Sequence, residues 1–117
     1  MNKHQIVHLF HIFFVGGLFL YVGIQKTNLY LFVYTILLLL GFIIIFYHLY
    51  KLYLKLTSKN PNLPWVNLIH ILFVGPLLLS IGYQKEKTSP YFFELLLLFG
   101  FASIGYHGYS LFGKSES

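Results

Sequence analysis

Apolar residues along the chain fall into four long, nearly unbroken runs, at about 6–24, 29–54, 65–83 and 91–112. A helix needs roughly 17–25 mostly apolar residues to cross ~30 Å of hydrocarbon, and each run is near or above that length. The runs are continuously apolar rather than alternating, which predicts helices and not the strands of a barrel. Polar, turn-forming residues gather in the breaks: 25–28 between the first pair of runs, 57–64 between the halves, 84–90 between the last pair. The first run is too long for the core of a signal peptide and no small-x-small cleavage site follows it, so it reads as the first span.

The polar positions inside and around the runs repeat. His11-Ile12-Phe13-Phe14-Val15-Gly16 matches His70-Ile71-Leu72-Phe73-Val74-Gly75 at an offset of 59. Without any gap, the same offset aligns Gly23, Gln25 and Lys26 with Gly82, Gln84 and Lys85. It also aligns Gly41-Phe42 with Gly100-Phe101, and Tyr47, His48 and Tyr50 with Tyr106, His107 and Tyr109. About 20 of the 42 positions from Leu9 to Tyr50 are identical to their partners. Low-complexity apolar sequence gives chance matches of Leu and Phe, but not His, Gln, Gly and Tyr in register.

The expected architecture is therefore all-α: an integral membrane four-helix bundle made of two parallel tandem repeats, each a helical hairpin. Repeat 1 covers 1–58, with spans at about 6–24 and 29–54. A linker at 59–64 leads to repeat 2 at 65–117, with spans at about 65–83 and 91–112. Both termini and the linker then share one side, with Lys3, Lys51, Lys55, Lys59 and Lys114; Lys26, Lys85 and Lys87 fall on the other. That excess places the termini and central loop in the cytoplasm.

Composition narrows the function. Hydrophobic residues make up 57% and charged residues 9%, against ~45–50% and ~25% for soluble domains. Eight Lys and three Glu cannot clothe a water-facing surface that must also hold 13 Phe and 10 Tyr. The bilayer is the expected partner, together with homo- or hetero-oligomers inside it, and nucleic acid is not. The net charge of +5 is read as topology. With no Cys, thiolate catalysis, iron–sulfur clusters and Cys-type zinc sites are excluded. No Ser/His/Asp set, paired-carboxylate site or phosphate loop is present, so no catalytic residue is assigned.

On a 3.6-residue wheel each span carries one repeat-matched His on a shared face. His11 lies with His4, His8, Val15, Leu18, Val22 and Gln25; His70 with Val74, Leu77, Ile81 and Gln84; His48 with Ile44, Gly41, Leu37 and Tyr34; His107 with Ser103, Gly100, Leu96 and Phe93. Intramembrane polar side chains turn from lipid, so His11, His48, His70 and His107 are expected to cluster inward, flanked by Tyr47, Tyr50, Tyr106 and Tyr109. Gln25 and Gln84 mark the far ends of the faces.

Three chemistries compete for this cluster. In the first, the imidazoles only bond neighbouring helices, and no cofactor is present. In the second, His11 with His70 or His48 with His107 ligate haem b, or the four hold a divalent metal. In the third, they relay protons or ions, against which stands the aliphatic plug between the His layer and Gln25 or Gln84. Gly16, Gly23, Gly41, Gly75, Gly82 and Gly100 are expected to be sites of close helix packing. Pro76 should bend the third span, and Gly17 holds its place in the first, so the two halves are not expected to be fully symmetric there. Trp65 and Tyr91 open spans as interfacial anchors.

The repeated His-Ile-x-Phe-Val-Gly, followed by Gly-Phe-x-x-x-x-Tyr-His-x-Tyr, resembles small, uncharacterised multi-span membrane proteins of large DNA viruses of algae and protists. The resemblance implies a virus-infected host membrane or a viral internal membrane, and carries no activity. The leading expectation is a non-enzymatic structural or assembly component that works through helix packing. A haem- or metal-binding bundle is the alternative, and proton or ion translocation the second.

Overall fold

A computed structural model describes residues 2–59 and 65–112, without the side chain of His4. Most of the linker expected at 59–64, and the tail with Lys114, lie outside the described residues. The described residues are helical and contain no strand. Four helices are long and apolar enough to cross a membrane: Gln5–Gln25, Leu31–Leu56, Trp65–Lys87 and Pro90–Phe112. The shortest has 21 residues, about 31 Å at 1.5 Å per residue. Outward-facing positions are those that suit lipid, such as Phe13, Ile43, Phe46, Leu72, Leu98 and Phe101.

Local sequence sets the ends. Asn2 caps the first helix, accepting from the Gln5 N–H at 2.9 Å while Gln5 Oε1 accepts from the Asn2 N–H at 3.0 Å. This reciprocal box satisfies two donors that the helix start leaves open. Pro90 opens the fourth helix, where a missing N–H costs no intrahelical bond. At the C-termini of the first and third helices, Lys26 (φ 55°) and Lys85 (φ 54°) enter the left-handed half of backbone space. Each still donates its N–H back into the helix, to Val22 and Ile81 respectively. The second helix ends at Thr57, whose Oγ1 donates to the Tyr53 carbonyl at 2.8 Å.

The first and third helices are each interrupted by one wide π turn, His11–Val15 and His70–Val74. Each closes with the N–H of a glycine, Gly16 or Gly75, donating to the carbonyl five residues back. Proline is not the cause. The expectation that Pro76 would break the equivalence of the halves is corrected, because the first helix makes the same turn with Gly17 in that place.

The chain divides into two compact units. One holds residues 1–28 and 89–117, the other 29–88. In the first unit the first and fourth helices pack antiparallel. A Cβ built on Gly16 would lie 2.5 Å from Ile104 Cγ1, one on Gly100 3.1 Å from Leu20 Cδ2, and one on Gly23 2.5 Å from Leu97 Cγ. In the second unit the second and third helices make the same contacts: Gly75 against Ile45, Gly41 with its Cβ 2.9 Å from Leu79 Cδ2, and Gly82 with its Cβ 2.8 Å from Leu38 Cβ. Each contact in one unit maps onto one in the other by the offset of 59. Buried positions follow suit: Phe19 and Leu78, Val22 and Ile81, Tyr34 and Phe93, Leu37 and Leu96.

The helices that form a unit are not the two helices of one repeat. Each unit takes one helix from repeat 1 and one from repeat 2. The sequence repeat is equally compatible with either pairing, because both preserve equivalence at the offset of 59.

Candidate functional site: two stacked imidazole pairs

The histidines come together in pairs, one pair in each unit. His11 stacks on His107 with ring centroids 4.3 Å apart and planes 26° apart. His48 stacks on His70 at 4.1 Å and 19°. The pairs expected from the repeat, His11 with His70 and His48 with His107, instead divide between the two units.

The π turn positions one ring of each pair. His11 Nδ1 sits 2.9 Å from the Val7 carbonyl, and His70 Nδ1 sits 2.7 Å from that of Val66. A carbonyl only accepts, so Nδ1 carries the proton and donates, which leaves Nε2 as the basic nitrogen of the neutral ring. The ring thus turns back along its own helix and lays its face against the neighbouring one.

A second polar residue, one turn before each of these histidines, completes the layer. His8 Nδ1 lies 2.8 Å from His107 Nδ1, so one ring donates and the other accepts. Asn67, the residue equivalent to His8, takes its place in the other unit: its Oδ1 lies 2.6 Å from His48 Nδ1 and accepts from it. His8 is buried, and its Nε2 has no hydrogen-bond partner. Ser103 Oγ and the Tyr34 hydroxyl are buried in the same condition.

The tyrosines stand outside this layer. Tyr47 and Tyr106 are exposed and meet the edges of His48 and His107 at 5.2 and 5.0 Å. Lys51 Nζ lies 5.9 Å from the Tyr47 ring centre. Tyr50 and Tyr109 face outward, and Gln25 and Gln84 are exposed at the opposite ends of their helices. Sequence reasoning placed His8 on the right face but not in the site, and it missed Asn67. The signal was available: both lie three residues before the matched His, at the repeat offset.

Chemically, each pair is a face-stacked clasp in which one ring is hydrogen-bonded to its own helix and the other to His8 or Asn67. Rings stacked face to face at about 4 Å leave no room for a porphyrin between the two members of a stacked pair. Among the described residues, no group of three or more His, Asp or Glu is arranged to hold a metal ion. The face between each clasp and Gln25 or Gln84 is filled by aliphatic side chains, including the buried Val22, Val74, Leu77 and Ile81.

Compared with family models, curated proteins and solved structures, the chain matches none.

Proposed function

We propose that the chain is an integral membrane protein, made by tandem duplication, that serves as a non-enzymatic structural or assembly component through helix packing. The observation that carries this reading is the glycine-lined helix contact made twice with the same residues: Gly16 and Gly75 against isoleucine, Gly23 and Gly82 against leucine, Gly41 and Gly100 against leucine. Small residues let helix backbones approach closely in lipid, where no hydrophobic force drives helices together. The exposed aromatic and aliphatic cover supports burial in a bilayer, and four helices of spanning length support four crossings. The stacked histidines fit the same role, tying helices together near one end. A viral membrane remains a proposal carried by the repeated motif alone.

The test is the visible absorption spectrum and metal content of protein purified from membranes in mild detergent. The reading predicts a colourless protein without stoichiometric metal. A Soret band, or one metal per chain lost on changing any of His11, His48, His70 or His107 to Gln, would replace it with the ligand-binding alternative.

A further inference from the structure

All the glycine contacts described above join repeat 1 to repeat 2. Gly16, Leu20 and Gly23 of repeat 1 meet Ile104, Gly100 and Leu97 of repeat 2; Leu38, Gly41 and Ile45 of repeat 1 meet Gly82, Leu79 and Gly75 of repeat 2. The imidazole clasps obey the same rule, His8 and His11 with His107, His48 with Asn67 and His70. The chain is thus a repeat bound to its own duplicate, and the two are covalently joined only through the segment around 57–64.

We infer that a second copy of this chain is its partner, and that the two bind by exchanging repeats. Repeat 1 of one copy packs on repeat 2 of the other, and the reverse. The first helix of one copy then lies on the fourth of its partner, and the second on the third, with every glycine contact and both clasps reformed between copies. This proposal rests on the assembly reading above and supplies its partner. The physical ground is that the exchanged contacts are chemically the same as the closed ones, so the only differences are the path of the linker and the entropy of joining two chains. Exchange of an identical element is a low-cost route to a dimer. Confinement to a bilayer raises the concentration of copies, whereas the linker favours the closed form by holding its own repeat at high effective concentration. The exchanged fraction should therefore rise with protein per lipid and rise again when the linker is too short to close.

The chain has no cysteine, which gives the test a clean background. A Cβ on Gly100 would lie 3.1 Å from Phe19 Cβ, close enough for a disulfide after a small shift. Two differently tagged full-length copies, one Phe19→Cys and the other Gly100→Cys, are co-expressed and oxidised in the membrane. Phe19→Cys and Gly100→Cys in one copy serve as the closed control. The expected result is a disulfide between copies that diminishes on lipid dilution and increases when 60–63 are deleted. A control bond within one copy without any bond between copies overturns the exchange. If the cysteine variants fail to reach the membrane, two tagged and otherwise unaltered copies decide: co-purification after co-expression is expected, and separate elution overturns the proposal. An amine cross-linker distinguishes the two levels. Cross-linked oligomers without the inter-copy disulfide overturn exchange and leave assembly standing, whereas monomers in both assays overturn both.

Discussion

The ring of His107 lies face-on against His11, a residue near the other end of the chain, with centroids 4.3 Å apart, while its Nδ1 meets His8 at 2.8 Å. The counterpart around His48 uses His70 in the same way and puts Asn67 where His8 stands. An amide and an imidazole thus fill equivalent places, which fits a layer whose task is hydrogen bonding between helices.

If that is the task, His→Gln at 11, 48, 70 or 107 should cost little. Interhelical hydrogen bonds in membranes average ~0.6 kcal/mol in measured cycles, and Gln keeps both a donor and an acceptor. Thermal unfolding in detergent should show small shifts for each variant, and additive ones for variants in different units. A large loss from any single change, with no further loss in the double variant, would mark groups acting on one shared centre.

The glycines should divide sharply by position. At Gly82 an added Cβ would come within 2.7 Å of the Leu38 backbone nitrogen and 2.8 Å of the Tyr34 carbonyl oxygen, neither of which can swing aside. Gly82→Ala should cost roughly 1–3 kcal/mol, the usual range for overpacking, and Gly41→Leu and Gly100→Leu should disrupt assembly further. Gly17 and Gly105 have nothing within 4 Å of a built Cβ, so Ala there should be neutral or stabilising, by up to ~1 kcal/mol from helix propensity. Equal melting temperatures for Gly82→Ala and Gly17→Ala would contradict the packing.

Lys26 and Lys85 hold positive φ at equivalent helix ends. A non-glycine residue in such a region stores about 1–3 kcal/mol. Lys26→Gly and Lys85→Gly should therefore each raise thermal stability, by about 1 kcal/mol after the entropy that glycine costs. Unchanged or lowered melting temperatures would show that the lysine side chains contribute more than the strain.

Much of this was legible in the sequence, for identifiable reasons. Long apolar helices can be read wherever Leu, Ile and Phe run for twenty residues, and the offset of 59 can be read in its His, Gly, Gln and Tyr. The pairing of helices could not be read, because Gly16 meets Ile104 and would meet an identical side chain at Ile45. The π turns left no mark either. Proline stands beside one and glycine beside the other, and the ring-to-carbonyl bonds of His11 and His70 accompany both. His8 and Asn67 escaped because the repeat draws attention to identities, and theirs is the polar position where the two halves differ.

The central claim is that two tandem repeats, each crossing a membrane twice, enter it from the same side. Sidedness of single labelled positions in sealed vesicles tests it most directly. Reporters at Met1, Asn60 and Ser117 should be accessible from one side, and a reporter at Lys87, in the break between the third and fourth helices, from the other. Accessibility of Asn60 and Ser117 from opposite sides would contradict the account.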